Sequence, residues 1–410
     1  MRRALLLLAA LVLGAPAAAP AQALDAPASM AVVEAYTRYE LLAPGSGKFR
    51  ILYEVTQTEP GAAWFFNPIR KGSVATDERV TDMATGKPLP FQVVGGEQAR
   101  KDGYAEADPT YDYIRVRLAR PVPKDGGEGR ILIDKTYADP KSYFTNGAEI
   151  VFSRSLGVKR NAVVLPKGYR LASSNYPSQV LTTPDGRVMI SFWNATPAEA
   201  PLVIRARPAL PTEPPPSATD FDERAHQNRT IVYFLKEPET HAFELYHDYT
   251  ETRAGRAAYV NVVREGSTVA NPSGRNLDTG EPLKIEVLKG EAITRAGLEE
   301  EDRPKVITPR SEVVVFRYPP LKPGETARLR LSETYTDPGS YTLTRDQLIW
   351  KRSLGRAANA VVLPPDWTLT GSSVPAVVSQ ITDGRTRLDF INPRLDEIAV
   401  TIVAARADRE

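Results

Sequence analysis

Three histidines, His226, His241 and His247, are the residues whose ordinary pKa suits proton transfer or metal ligation near neutrality. His241 and His247 are six positions apart, and with Glu244 or Asp248 they would suggest a metal site. Strand parity argues against it. On an extended strand Glu244 and Asp248 point away from the row Phe243, Leu245, His247 and Tyr249. A packed, structural histidine is therefore expected, with no metal and no cofactor. A Ser–His–Asp triad would have to draw on the same three histidines, and no Gly-x-Ser-x-Gly elbow precedes a helix. Cysteine is absent, which excludes thiol catalysis, cysteine zinc sites and iron–sulfur clusters. Gly45-Ser-Gly-Lys48 lacks the earlier glycine and the following Ser or Thr of a phosphate loop. Paired carboxylates need no motif, and 50 acidic residues leave that chemistry open.

The elements that would position such groups come in two sets. Lys135-Thr-Tyr-Ala-Asp-Pro-Lys-Ser-Tyr143 is matched by Glu333-Thr-Tyr-Thr-Asp-Pro-Gly-Ser-Tyr341. Arg154-Ser-Leu-Gly157 returns as Arg352-Ser-Leu-Gly355, and Asn161-Ala-Val-Val-Leu-Pro166 as Asn359-Ala-Val-Val-Leu-Pro364. These matches keep an offset of 198, with 25 identities in 60 ungapped positions from residue 135. The front of the unit repeats at an offset of 194, as in Thr85-Gly-Lys-Pro-Leu89 and Thr279-Gly-Glu-Pro-Leu283. The change implies a net four-residue insertion in copy two, between about 297 and 333. So long a period is a duplicated domain and not a solenoid.

Within each copy the hydrophobic period is two. Phe49, Ile51, Tyr53 and Val55 alternate with polar neighbours, and so do Ile114, Val116 and Leu118. Pro184-Asp-Gly-Arg187 and Thr382-Asp-Gly-Arg385 read as hairpin turns. Only short stretches such as Glu291 to Glu301 have helical character. The expected fold is all-β: two tandem antiparallel β-sandwich domains, residues 30–208 and 225–407, each more naturally one large sandwich than two small ones. Between them, residues 209–224 contain Pro214-Pro-Pro216 and read as a semi-rigid, proline-rich linker.

Leu171-Ala-Ser-Ser-Asn-Tyr-Pro177, followed by Asp185-Gly-Arg187, Phe192 and Thr196-Pro197, resembles the N-terminal all-β domain of the gluzincin zinc aminopeptidases. The likeness spans about 30 residues of copy one and weakens at Ser372-Ser-Val-Pro375. It implies a saddle-like β-sandwich. The family's chemistry needs His-Glu-x-x-His, which none of the three histidines forms, so the resemblance implies a fold without the catalytic domain.

Residues common to both copies point to the shared fold. Asp139 and Asp337 precede prolines, and Arg154 and Arg352 end apolar strands. We read them as bidentate Arg–Asp pairs that fix the Asp-Pro turn, and Asn161 and Asn359 as further structural positions. Differences between copies point to function. Trp64-Phe65-Phe66 becomes Ala258-Tyr-Val260, and Tyr104, Tyr111 and Tyr113 lose their aromatic character. If exposed, Trp64, Phe65, Phe66, Tyr111 and Tyr113 would stack on sugars or anchor a peptide; otherwise they are ordinary core and edge rings.

Met1-Arg2-Arg3, the apolar run Ala4 to Leu13 and Ala21-Gln22-Ala23 form the pattern of a secretory signal peptide, residues 1–23. Its apolar run is too short to span a membrane, and no second run follows. Without Arg2 and Arg3 the remaining chain carries 50 basic and 50 acidic side chains, a balance unsuited to nucleic acid. Asn194-Ala-Thr196 and Asn228-Arg-Thr230 fit the glycosylation pattern. The expectation is a secreted or periplasmic, non-catalytic binding or scaffold protein, its partner a protein, peptide or glycan of the cell envelope. The alternative is a hydrolase of envelope glycans or peptides that works through paired carboxylates.

Overall fold

A computed structural model describes residues 35–217, 221–227 and 229–406. The signal-peptide segment and Asn228 lie outside the described residues. Copy one runs β1 (Tyr36–Leu41), β2 (Lys48–Gln57), β3 (Trp64–Ile69), β4 (Val74–Asp82), β5 (Phe91–Gly95), α1 (Gly96–Lys101), β6 (Asp112–Arg117) and β7 (Gly129–Ala138). It continues with β8 (Tyr143–Asn146), β9 (Glu149–Leu156), β10 (Arg160–Val164), β11 (Tyr169–Ser174), β12 (Gln179–Thr182), β13 (Val188–Trp193) and β14 (Ala200–Pro208). Copy two repeats the order as β15 (Arg229–Leu235), β16 (Ala242–Glu251), β17 (Ala258–Val262), β18 (Thr268–Asn276), β19 (Lys284–Lys289), α2 (Glu291–Arg295), β20 (Glu312–Arg317) and β21 (Ala327–Thr336). It ends with β22 (Tyr341–Thr344), β23 (Gln347–Leu354), β24 (Ala358–Val362), β25 (Trp367–Ser372), β26 (Val377–Gln380), β27 (Thr386–Ile391) and β28 (Ile398–Arg406).

The chain is therefore two similar all-β halves. In each, one seven-stranded sheet is covered by a four-stranded and a three-stranded sheet. In copy one the orders are β12-β13-β10-β1-β2-β7-β4, β11-β14-β9-β8 and β3-β6-β5, and copy two has the same three sheets. One pair per copy is parallel, β1 with β10 and β15 with β24; the other pairings are antiparallel. Local irregularities recur too. β4 bulges between Thr76 and Arg79 with Asp77 at φ 58°, and β18 between Ala270 and Ser273 with Asn271 at φ 50°. Such coincidence of defects is the mark of a copied backbone, since a bulge is a specified feature and not a random fault.

Alternation fixes the layers. Phe49 and Ile51 of β2 enter a core with Phe152, Leu202 and Ile204 of the four-stranded sheet. Further along the same strand Val55 enters a second core with Ile114, Val116 and Ile133, under the three-stranded sheet. Tyr53 touches both, so copy one is a single long sheet with two covers and not one plain sandwich. In copy two the two cores merge into one. The hairpin turns hold Gly186 and Gly384 at φ 79° and 85°, the left-handed region open to glycine at no steric cost. Strand pairing also divides the insertion. Trp64 faces Arg117 in β6, and its counterpart Ala258 faces Arg317 in β20, an offset of 200. Six residues are therefore added before β20 and two removed before β21.

The linker lies along copy one. Arg207 pairs with Glu213, Arg170 donates to the Pro214 carbonyl at 2.9 Å, and Gln179 donates to that of Asp222. Glu223 accepts from Tyr36 and Ser191 at 2.8 and 2.6 Å. The copies also touch directly. Arg130 makes a bidentate, buried pair with Asp278 at 2.7 and 2.8 Å and donates to Thr326. Arg328 lies 3.5 Å from Glu128. Arg130 and Arg328 are equivalent positions, as are Glu128 and Thr326, so the halves meet through matching surfaces, as the subunits of an isologous dimer do.

Candidate functional site

The two covering sheets of copy one pack over successive stretches of β2. Between them a cavity of about 700 Å³ opens onto the seven-stranded sheet. β1, β2 and β7 make its floor with Tyr39, Tyr53, Lys135 and Tyr137. β3 and the loop before β6 supply Asn67 and Tyr111, and β9 with its neighbouring loops supplies Arg154, Val158 and Glu199. The floor rows come from strand parity, since every second residue of β2 and β7 faces the covers.

Lys135 lies at the bottom and is only 3% exposed. Its ammonium donates to Asn67 Oδ1 and stands 4.9 Å from the Tyr137 ring centroid. Burial, helped by the Arg154 charge, pushes its pKa down to about 7. Arg154 is answered: its Nη1 donates to Asp139 Oδ2 at 2.8 Å. Burial would raise the Asp139 carboxyl, but the Ser142 hydroxyl and amide and the Arg154 charge outweigh it and hold it below its usual range. In copy two Arg352 donates to Asp337 at 3.3 Å. Each contact is made through one guanidinium nitrogen, a single bond where the sequence led us to expect a bidentate one. Asn161 Nδ2 donates to the Val158 carbonyl at 2.6 Å, and Asn359 to that of Arg356 at 2.8 Å, so these amides shape the lip of the cavity.

Copy two keeps the frame and changes the contents. Asn67, Arg70, Tyr137, Arg154, Gly157 and Glu199 return as Asn261, Arg264, Tyr335, Arg352, Gly355 and Glu397. Ala35, Tyr53 and Val158 become Arg229, His247 and Arg356, and Lys135 becomes Glu333. Glu333 is 5% exposed, accepts from Asn261 at 2.6 Å, and is pushed up to about 7 by burial. His247 is buried against Tyr249 and Tyr259; burial and nearby arginines push its pKa well down. Arg229 lies over the Tyr249 ring at 4.5 Å. His241 occupies the left-handed position of Gly47, at φ 53° against 62°, and faces the Tyr341 carbonyl. Among the described residues no cluster of three or more His, Asp or Glu has the arrangement of a metal site.

The aromatic residues singled out in the sequence are dispersed. Trp64 is half-buried under Arg115 and Arg117, at 4.8 and 5.4 Å. Phe65 faces inward to the core under the three-stranded sheet. Phe66 stacks on Tyr104 at 5.4 Å. Tyr113 is 4% exposed and accepts from the Asp108 amide. Only Tyr111 reaches the cavity, with Lys71 over its ring at 5.0 Å. Parity splits three consecutive rings across two faces, so they form no single platform. Lys135 and Asn67 escaped sequence reading; the Lys-to-Glu exchange inside the best-matched repeat was the available signal. Asn194 is 1% exposed, its amide donating to the Ala198 carbonyl, a poor position for a glycan acceptor.

A second cavity, about 240 Å³, lies at the junction of the copies and is lined by Asp278, Glu281 and Glu325 with Arg120 and Arg317. Asp278 is committed there to Arg130.

No family model matches the chain, and no curated protein does. Among solved structures it is similar to an M1 zinc metallopeptidase from Deinococcus radiodurans, at 15% identity and a TM-score of 0.27, over 44% of this chain and 41% of that one. An aminopeptidase N family protein from Idiomarina loihiensis matches at 10% identity and a TM-score of 0.26, over 44% and 29%. The collagen adhesin of S. aureus matches at 8% identity and a TM-score of 0.14, over 77% and 81%. The chain spans about two fifths or less of the length of the two metallopeptidases.

Proposed function

We propose that this chain is an exported, non-catalytic binding protein of the cell envelope, with a ligand cavity in copy one and copy two as its scaffold. The observation that supports it is the cavity between the covering sheets: one frame, open over Lys135 in copy one, carries arginines at positions 229 and 356 in copy two. A concave site with aromatic walls and a few convergent polar groups is the ordinary form of a small-molecule or peptide-terminus site. Paired-carboxylate hydrolysis is less well supported, because Glu199 is the one carboxylate among the lining residues of this cavity.

The test is a fragment screen by ligand-observed NMR on the full chain and on Val158→Arg, which installs the copy-two residue at the lip. Fragments that bind the parent and not the variant support the reading. A hit list unchanged by Val158→Arg refutes it. Export is tested separately: fractionation of the host should place the protein outside the cytoplasm, with an N terminus at Leu24 by mass spectrometry.

A further inference from the structure

The floor of the copy-one cavity holds an ammonium without a counter-charge. Lys135 bonds a neutral amide, Asn67, and lies beside a ring, Tyr137. No carboxylate among the described residues lies within 4.0 Å of it, and Glu78 acts on it only from further off. Arg154, whose charge acts on it, already has Asp139. A buried charge left unpaired is costly, and proteins pair or neutralise such groups.

The fold does not demand this ammonium. At the equivalent place in copy two, on the equivalent strand and facing the equivalent asparagine, stands the carboxyl of Glu333. One backbone frame accepts either sign of charge there. Lys135 lines an open cavity whose wall also carries Tyr39, Tyr53, Tyr111 and Tyr137, and its ammonium stands beside the Tyr137 ring. Three cations line the cavity, Arg70, Lys135 and Arg154; Arg154 is committed to Asp139, and Lys135 is the one set into the floor among the tyrosines, which suits an anionic group on an apolar or aromatic body.

We infer that the copy-one cavity binds a small carboxylate with an aromatic or apolar body, its carboxylate paired with the Lys135 ammonium. The inference rests on the reading of this cavity as a ligand site. Asn67 then acts as a positioning residue, holding the ammonium toward the cavity.

Calorimetric titration of the full chain at pH 6, where Lys135 carries its proton, with benzoate, benzamide and benzamidine tests it, because the three share a ring and differ in charge. Benzoate should bind the parent at least tenfold more tightly than benzamide. Lys135→Met should remove that difference. Lys135→Glu, copying Glu333, should reverse it in favour of benzamidine, which keeps the test informative if one variant fails to fold. Val158→Arg should abolish binding of all three. Benzoylglycine set against its amide separates a peptide carboxyl terminus from a free aromatic acid as the source of the carboxylate.

Equal affinity for benzoate and benzamide in the parent, lost in Val158→Arg, overturns the charge assignment while leaving the cavity a ligand site. Benzoate preference that survives Lys135→Met overturns it as well. Binding that survives Val158→Arg overturns both. Absence of benzoate binding to the parent overturns the inference.

Discussion

At the scale of residues, two buried ionisable groups at one repeated position set opposite pH dependences. Lys135 holds its proton in the folded chain only up to about pH 7, whereas the unfolded chain holds it to about 10.5. Between those values the unfolded state binds more protons, so stability rises with pH at up to about 1.4 kcal/mol per unit. Glu333 keeps its proton in the folded chain up to about pH 7 against about 4.5 unfolded. There the folded state binds more protons, and stability falls as pH rises through that window. Urea midpoints measured across pH should show the alkaline limb flattened by Lys135→Met and the acid limb flattened by Glu333→Gln. The Arg154–Asp139 pair predicts a different result. Its side chains are 8% and 9% exposed, and removal of one partner strands the other. Asp139→Ala should cost about 3 kcal/mol, read from thermal melts at constant pH; an unchanged melt would remove these residues from the structural account.

At the scale of elements, positive-φ positions control where strands begin and bend. Gly47 precedes β2 at φ 62°, and an added Cβ would stand 3.0 Å from Pro140. Gly47→Ala should therefore destabilise copy one by about 1–2 kcal/mol. His241 tolerates the same backbone with its ring set against the Tyr341 carbonyl. His241→Ala should lose that contact and keep the strain, with a drop of about 1 kcal/mol in a denaturant titration. The helix that follows β5 and β19 has a simpler basis. Ala99 of α1 and Ile293 of α2 are each 0% exposed, so each short helix is held by a buried apolar side chain packed into a small core rather than by its length.

At the scale of the whole molecule, the copies are joined by a linker packed along copy one and by charges buried at their contact. Arg130 and Asp278 are 5% and 6% exposed as side chains, so salt should screen them little. Asp278→Ala leaves Arg130 without its carboxylate. We expect about 3 kcal/mol of destabilisation and a calorimetric trace that separates into two transitions, one per copy. A single transition shifted as a unit would mean that the remaining contacts, Arg328 with Glu128 and Thr326 with the Met83 carbonyl among them, still couple the halves.

Much of the fold was legible because its signals are local. Period-two alternation marked strands such as β2 and β6, Asp-Gly marked the turns at Gly186 and Gly384, and self-comparison marked the copies. Local signals do not report which strands become neighbours. The parallel partnership of β1 and β10 joins segments more than 120 residues apart, and no residue type announces it. The same limit hid the site. Lys135 and Asn67 are 68 positions apart and meet only because β7 and β3 belong to sheets that pack face to face. The sequence alone determined a duplicated all-β chain with no cysteine and three histidines. Only tertiary packing decided that Tyr113 is buried, that Tyr111 is not, and that an unpaired ammonium faces an open space, because burial and charge compensation belong to distances across sheets and not along the chain.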